Sequence, residues 1–317
     1  MSAQKPRFLV AIERPDHVSR TLLRKAALLA QNCGASVELF HVVSDLRPET
    51  PSVTATKAEA ADWRREVAAF RLRRLTRLAQ SPVFADVRAE CRVVWDSSAC
   101  RAVVREALAT HADLVLAGTH RHTVSARLTR ESVDWELIRQ CPVPLLIAKA
   151  GGNSRNSAVV TAVDPFHKRD KRATLDAKLL HLGRWIARTL RGELHVFHAY
   201  MPLVPVQTMP MASPFPLVLM PPELERVHQQ EVEREIARLT RSAHIPRARR
   251  HLLLGSVSSE LRKLAKRVRA GVVVMGAVSR SGIRRLLIGN TAEKVLDDIP
   301  CDVLVVKPTG FKSKFAL

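Results

Sequence analysis

The chain lacks the segments that would place it in a membrane or on a secretory route. None of its apolar runs approaches the roughly 20 residues that cross a bilayer as a helix. Residues 1–8 do not contain the apolar stretch of a secretory signal peptide. These absences exclude an integral membrane protein with helical spans, and they predict a cytoplasmic location.

Cysteines and aromatic residues are also few. The 5 cysteines form no Cys-x-x-Cys pair and have no histidine at the spacing of metal ligands. Buried, reduced thiols are therefore expected, rather than a disulfide framework or a structural zinc site. Aromatic residues make up 4% of the chain, with 1 tyrosine, and no RNA-recognition pattern of aromatic residues is present.

Acidic residues are too few to balance the basic ones. The chain has 51 lysines and arginines against 30 aspartates and glutamates, which gives a formal charge of +21. A field of this sign attracts polyanions such as RNA, DNA or acidic lipid headgroups. Many of the basic residues nevertheless fall at helical spacing opposite apolar positions, as on the solvated face of a helix. Composition leaves both interpretations open.

A duplication is the main feature that the sequence does contain. The run Leu114–Gly118 returns at 272–276, and the segment 142–149 returns at 300–307. The offset is 158 residues in both cases (276 minus 118, and 307 minus 149). Solenoid repeats are only about 20–50 residues long, so this period indicates two copies of a whole domain.

Strands and helices alternate within each half. Apolar runs of strand length are followed by amphipathic patterns of ten or more residues, which predicts βαβ units and a parallel sheet. The predicted fold is α/β, with two tandem, doubly wound, five-stranded domains at 1–150 and 157–310. The polar segment 151–156 is the expected linker. We expect the domains to pair through edge strands at 145–149 and 303–307.

The second half carries a loop suited to an anionic ligand. In doubly wound sheets, ligands bind beyond the carboxyl ends of the strands, where the strand order reverses. Glycines after the fourth strand allow close approach of the backbone, and the following helix start offers unpaired N–H groups. The candidate binding residues are Asp164, Ala199, Gly276, Ser279, Gly282, Gly289, Asn290 and Thr291.

These residues resemble the universal stress proteins, and specifically their tandem two-domain E type. Nucleotide-binding members of that family carry G-x-x-G, nine residues, then G-[S/T]. Here Gly276-x-x-Ser279 is followed, after residues 280–288, by Gly289 and Asn290. Further marks are Gly-Asn-Thr-Ala-Glu at 289–293, and Val-Val-Trp at 93–95 in the first half. The resemblance covers nearly the whole chain.

The resemblance implies a strand order of 3-2-1-4-5 in each domain and a role in stress response. It also implies ATP or a related nucleotide in the second domain, with Mg²⁺ only alongside that nucleotide. Ser279 stands in place of a glycine and Asn290 in place of a hydroxyl residue. Both departures predict weak nucleotide binding.

The first half has lost the loop. The offset of 158 puts Arg121, Glu131 and Ser132 at the places of Ser279, Gly289 and Asn290. A carboxylate there repels phosphate, so the first domain is predicted to be a scaffold that pairs with the second. Histidines 120 and 122 have no third ligand at useful spacing, which favours an exposed loop over a metal site.

Catalytic motifs are missing as well. No nucleophile elbow, no His-Glu-x-x-His and no paired carboxylates accompany the loop. The predicted activity is ligand sensing and partner contact rather than turnover, with slow ATP hydrolysis left open. Two alternatives remain: a polyanion-binding protein, or a carrier of an apolar ligand under the proline-rich, apolar segment 201–222.

Overall fold

Two α/β domains share one continuous sheet in the computed structural model of the protein. The structure describes residues 5–44, 56–119, 133–149, 156–166, 173–200, 222–277, 295–296 and 298–315. Ten strands lie in the order β3-β2-β1-β4-β5-β10-β9-β6-β7-β8. Each domain therefore has the order 3-2-1-4-5, as predicted.

In the part of the first domain that the structure describes, five strands alternate with four helices. Its strands are β1 (Arg7–Ile12), β2 (Ser36–Val43), β3 (Ala89–Trp95), β4 (Leu114–Gly118) and β5 (Leu145–Ala148). Its helices are α1 (Arg20–Cys33), α2 (Lys57–Ala79), α3 (Ala99–Ala109) and α4 (Val133–Gln140), with a 3₁₀ turn at Pro82–Phe84.

The second domain repeats this arrangement. Its strands are β6 (Ala158–Ala162), β7 (Leu194–Tyr200), β8 (Arg250–Leu254), β9 (Ala270–Gly276) and β10 (Asp302–Val306). Its helices are α5 (Ala173–Leu190), α6 (Pro222–Arg241) and α7 (Val257–Arg267), with a 3₁₀ turn at Arg247–Arg249.

Local sequence signals set the ends of several helices. Ser19 accepts a hydrogen bond from the Leu22 amide and begins α1, while Gly34 ends it with φ of +69°. Thr56 and Glu59 form a reciprocal capping box at the start of α2. Strand β4, and β10 after Asp302, are continuous apolar runs because helices cover both of their faces.

The two domains meet along β5 and β10, as the sequence predicted. These strands are antiparallel, and Leu146 pairs with Leu304. The two leucines occupy equivalent positions in the repeat (304 minus 146 is 158), so a pseudo-twofold axis passes between them. On one face of the sheet, α1 packs against α5, and Asn32 Nδ2 donates to the Thr189 carbonyl at 2.7 Å.

A buried ion pair crosses this junction on one side of the axis. Lys25 Nζ on α1 lies 2.5 Å from Asp302 Oδ1 on β10, and it also donates to the Lys149 carbonyl at 2.9 Å. The Lys149 amide donates to the same Asp302 oxygen at 2.9 Å. Burial raises the pKa of Asp302, and the neighbouring Lys25 opposes that rise.

On the other side of the axis, the two corresponding lysines are present, but no aspartate stands at the position that corresponds to Asp302. Lys178 on α5 donates to the Lys307 carbonyl at 3.1 Å, which matches the bond from Lys25 to Lys149. The position equivalent to Asp302 is Pro144, which has no acceptor in its side chain. Burial lowers the pKa of Lys178 and lowers that of Lys307 to about 8. The junction is symmetric in its backbone and asymmetric in its charge.

The carboxyl-terminal segment returns to the first domain. Lys314 Nζ lies 2.9 Å from Glu136 on α4, and the Lys314 amide donates to Gln140 Oε1 at 3.2 Å. Residues beyond β10 therefore attach the second domain to the first at a second place.

Candidate functional site

A histidine holds the end of the first strand in each domain. His41 Nδ1 lies 2.8 Å from the Ile12 carbonyl, and His198 Nδ1 lies 2.9 Å from the Val163 carbonyl. Since a carbonyl only accepts, Nδ1 carries the proton in both rings. Burial lowers the pKa of His41, which keeps that ring neutral. The backbone just before Glu13 and Asp164 is thereby tied to the second strand of its domain.

The first domain contains a cavity at its strand-order reversal. Its volume is about 230 Å³, and it opens at the carboxyl ends of β1, β2 and β4. The lining residues are Ala11, Ile12, Glu13, Arg14, His17, Val18, Ser19, Leu22, Phe40, Val42, Ser44, Ala99, Val103, Ala117, Gly118, Thr119, Val133, Asp134 and Leu137. The sequence did not predict this cavity, because it assigned the first domain a scaffolding role.

The cavity combines an apolar interior with a polar mouth. Ile12, Phe40 and Leu137 are each at most 3% exposed, whereas Glu13 and His17 at the mouth are exposed. Such a mixture is typical of small-molecule sites, in which apolar area supplies affinity and a few polar groups fix orientation.

In the second domain, three predicted site residues come to one edge of the sheet. Asp164 lies two residues beyond β6, Ala199 near the end of β7, and Gly276 at the end of β9. These strands are neighbours in the order β9-β6-β7. The Asp164 amide donates to Asp176 Oδ1 on α5 at 3.2 Å. The convergence is at the position where doubly wound sheets bind ligands.

An aromatic cluster lies at the same edge of the second domain. Phe166 packs against His198 and His228, with ring centroids 5.8 and 6.3 Å apart, and Tyr200 meets His228 at 5.9 Å. The cluster joins the loop after β6 to α6. The sequence did not predict this cluster, although Phe166 and Tyr200 lie just beyond predicted strands, as Asp164 does.

The remaining predicted features of the site lie outside the described residues. These are the loop residues Ser279, Gly282, Gly289, Asn290 and Thr291, the first-domain segment with His120 and His122, residues 151–155 of the expected linker, and residues 201–221 of the apolar segment. Their proposed roles stay predictions.

The cysteines were predicted to be buried, reduced thiols. All 5 thiols are free, with Cys100, Cys141 and Cys301 buried and the other two half-buried. Burial raises the pKa of Cys141 and of Cys301 to about 12. Within the described residues, no three His, Cys, Asp or Glu side chains are grouped so as to hold a metal ion.

Comparison with known proteins identifies the family. The model of the universal stress protein family matches residues 6–149 and again residues 159–307. The chain belongs to the universal stress protein family. It is 27% identical to Universal stress protein E of Photorhabdus laumondii over 307 residues, covering 96% of each chain. It is 27% identical to Universal stress protein E of Escherichia coli K12 over 316 residues, covering 98% of this chain and 96% of that one.

A solved structure agrees with this assignment at the level of fold. A protein of Pseudomonas aeruginosa UCBPP-PA14 has a TM-score of 0.71 at 22% identity, over 97% of this chain and 95% of that one. Universal stress proteins are stress-response proteins, and the family is generally not enzymatic. Among the helices that the structure describes, none is both long and apolar enough to cross a bilayer.

Proposed function

We propose that this universal stress protein senses a nucleotide in its second domain and acts through partner contact rather than turnover. The supporting observation is the convergence of Asp164, Ala199 and Gly276 at the strand-order reversal of that domain. ATP or a related nucleotide is the proposed ligand, with Mg²⁺ bound only together with it. The proposed compartment is the cytoplasm, which the free thiols support.

The described side chains suit the base and ribose end of such a ligand. Asp164 offers carboxylate oxygens, which accept hydrogen bonds from amino and hydroxyl groups. Gly276 ends β9 at the same edge, where its backbone can meet a ligand, while Leu175 of α5 packs into the space of its missing side chain. Ala199, whose side chain is a single methyl group, leaves room at the end of β7. These three residues would orient the nucleotide, and none of them supplies a nucleophile.

Thermal unfolding tests this proposal. A ligand that binds only the native state at ten times its Kd stabilises the protein by about 1.4 kcal/mol. For domains of this size we expect Tm to rise by roughly 3–6 °C with millimolar Mg-ATP, and AMP and a UDP-sugar test which part of the nucleotide is needed. Asp164→Ala should abolish the rise.

The matched control is Glu13→Ala, the equivalent position in the first domain. It should leave the response to Mg-ATP unchanged. An absence of any shift at millimolar nucleotide, or an equal shift in both variants, would contradict a nucleotide site at Asp164.

A basic, partly aromatic surface on α2 favours a second candidate function, which is polyanion binding. Phe70 is 44% exposed, and the Arg74 guanidinium carbon lies 5.2 Å from the centre of its ring. Arg64 lies 6.0 Å from the ring of Trp95. Arginines beside exposed rings can neutralise phosphates and stack on bases.

Salt dependence distinguishes this function from the first. Binding of a labelled single-stranded RNA should weaken steeply as salt rises, since the slope counts the neutralised phosphates. Arg64→Gln combined with Arg74→Gln should reduce that slope by about 1–2. Weak binding without salt dependence would remove this candidate.

A further inference from the structure

We propose that β8, the last strand of the ten-stranded sheet, is a docking edge for an extended, acidic segment of another protein, which adds to the sheet as a further strand. The inference rests on the proposed function in one respect, namely that the protein acts through partner contact. It goes beyond that function by giving the contact a place and the partner a chemistry. It does not depend on the nucleotide, because none of the three residues that would orient the nucleotide belongs to β8.

The outer side of β8 carries backbone groups that face away from the sheet. Within the described residues, β8 is the last strand in the order and pairs with β7 alone. The Gly255 amide donates to the Tyr200 carbonyl at 3.0 Å, so the backbone groups of residue 255 face β7. Successive residues of a parallel strand direct these groups to opposite sides. Leu252 and Leu254 therefore direct their amides and carbonyls outward, where an added strand can bond to them.

The opposite edge of the sheet provides a matched comparison. Strand β3 ends the sheet in the first domain as β8 does in the second. The two histidines that hold the first strands of the domains pair with Val93 on β3 and with Leu252 on β8. Trp95 and Leu254, two residues further on, are therefore equivalent.

The end of β3 is covered by a helix, whereas the end of β8 is exposed. Trp95 Nε1 donates to the Arg64 carbonyl on α2 at 3.3 Å, and its ring lies 5.5 Å from that of Trp63. Leu254 is instead 49% exposed. An added strand would remove this leucine from water, which the hydrophobic effect favours.

Charged side chains also protect β3 along its length. Glu90 lies 2.7 Å from Arg88, and Arg92 lies 2.9 Å from Glu106. Charges on an edge strand oppose the addition of another strand, because the addition would remove them from water. The last three residues of β8 are leucines. Of the two edges, β8 is therefore the one suited to strand addition.

The start of β8 is basic, which sets the sign of the partner. Arg247, in the 3₁₀ turn that leads into β8, and Arg267, at the end of α7, are both exposed. Arg267 Nη2 lies 3.4 Å from His251 Nδ1 on β8. Complementary charge accelerates association and selects among partners. A segment with acidic side chains beside the start of β8 and apolar ones beside Leu254 fits this edge.

The acidic side chains near β8 are already paired with basic ones. Glu193 bonds to Arg249, and Glu260 lies 2.6 Å from Lys263. A second copy of the chain would bring further positive charge to the edge, since its formal charge is +21. The observations therefore favour an acidic segment of a different protein over a second copy.

Fluorescence anisotropy with labelled peptides tests the proposal on the full chain. The first probe has four glutamates followed by three Val-Thr repeats, and the second has lysines in place of the glutamates. We expect the acidic probe to bind about tenfold more tightly than the basic one, or better. N-methylation of every valine and threonine in the acidic probe should weaken binding by about tenfold or more, because it removes the amides that pair with β8.

Leu254→Pro blocks the edge from the protein side. Proline has no amide hydrogen, and an edge strand tolerates it where that amide faces outward, so the bonds to β7 remain. This variant should bind the acidic probe about tenfold more weakly with an unchanged far-UV circular dichroism spectrum. Leu254→Thr is the matched control, because it keeps the amide, and it should bind within about threefold of the wild type.

A second variant leaves the strand untouched. Arg247→Gln combined with Arg267→Gln removes positive charge beside the start of β8 and should weaken the acidic probe by about threefold to tenfold at low salt. It should bind the basic probe no more weakly than the wild type does. This variant keeps the proposal testable if Leu254→Pro does not fold.

Four results would overturn the inference. They are no binding of the acidic probe at millimolar concentration, equal binding of its N-methylated form, unchanged binding in folded Leu254→Pro, or a wild-type dimer in sedimentation that Leu254→Pro converts to a monomer. The last result would assign the edge to a second copy. Failure of the nucleotide proposal is distinguishable, because it would remove the response to Mg-ATP and leave peptide binding intact, in the wild type and in Asp164→Ala alike.

Discussion

In the first domain, the loop after β1 is joined to α2 by charge, whereas in the second domain the loop after β6 meets α6 through aromatic rings. Asp16 lies 2.7 Å from Arg71 and 3.3 Å from Arg74. At the corresponding place, Phe166 stacks on His228. The duplicated backbone keeps the contact between the same two elements, and the chemistry of that contact has diverged.

The junction shows the same kind of divergence. Lys25 has a carboxylate partner across the pseudo-twofold axis. Lys178 donates to the Lys307 carbonyl, and Pro144 stands at the position equivalent to that carboxylate. A duplicated domain thus preserves the features that the sheet requires, such as the apolar strands and the pairing of β5 with β10. Side chains at the carboxyl ends of the strands and at the junction between the domains differ between the two copies. Substitutions at matched positions measure how far the two copies differ.

The largest expected difference is at the buried lysines. Lys25→Met leaves Asp302 buried without its cation and should cost roughly 3–5 kcal/mol in the free energy of unfolding. Lys178→Met, at the matched position, should cost less than about 1 kcal/mol. Urea denaturation of both variants measures the difference, and equal losses would show that Asp302 does not make the junction asymmetric.

The next effect depends on pH. Burial lowers the pKa of Lys307 to about 8 in the folded protein, against about 10.4 for an unperturbed lysine. Between these values the unfolded chain binds more protons, so this lysine makes stability increase as pH rises, and below pH 8 its charge is a constant cost. Lys307→Met should therefore stabilise the protein by roughly 1–3 kcal/mol at pH 7, and by little above pH 10.5.

Lys149 is the matched control for that variant. Its Nζ donates to the carbonyls of Leu296 and Ile299, whereas Lys307 Nζ makes one longer bond, to the Ala277 carbonyl at 3.2 Å. Lys149→Met therefore removes the donor of two short bonds and should destabilise. Denaturation from pH 7 to pH 10 measures both. The same sign of change in the two variants would contradict the assignment.

A smaller effect is expected at the glycines that end β4 and β9. A methyl group on Gly276 would lie 2.9 Å from Leu175 Cδ2, whereas one on Gly118 would lie 3.7 Å from Leu22 Cδ2. Gly276→Ala should destabilise by about 1 kcal/mol because Leu175 must shift within a packed core. Gly118→Ala should change stability by less than about 0.5 kcal/mol, and thermal unfolding compares the two.

The smallest effect separates the two loop contacts by their response to salt. Asp16→Asn should cost about 0.5 kcal/mol at low ionic strength and almost nothing in 1 M NaCl, where charges on the surface are screened. Phe166→Leu should cost about 0.5–1 kcal/mol at both salt concentrations. A loss in Asp16→Asn that persists in 1 M NaCl would mean that the ion pair is not what holds this loop.

Much of the fold followed from the sequence because its signals are periodic or local. The 158-residue offset identified two domains, and the order 3-2-1-4-5 implied by the family resemblance is the order observed. Strand β4 was predicted at its observed bounds. A strand that is covered on both faces is a continuous apolar run, and such a run can be recognised from neighbouring residues alone. The pairing of β5 with β10 also followed, because these were the two sheet-edge strands at matched positions.

The sequence predicted which residues meet at the strand ends of the second domain, but it did not predict the cavity of the first domain. Asp164, Ala199 and Gly276 each follow or end a strand, and the topology rule brings such residues together. The cavity beside Asp134 depends on the volumes of Ala99, Val103 and Ala117, which come from two elements of the fold. No pattern among neighbouring residues indicates how much space three side chains from two different elements leave between them.

The amino-acid sequence alone determined that the chain has two copies of one α/β domain and which residues end the strands of each copy, since both follow from short-range periodicity repeated at a constant offset. Only the tertiary structure decided that Lys25 is paired with Asp302, a residue 277 positions away, and that the first domain keeps an open cavity. Those outcomes depend on distances and volumes between residues remote in the chain, which exist only after packing.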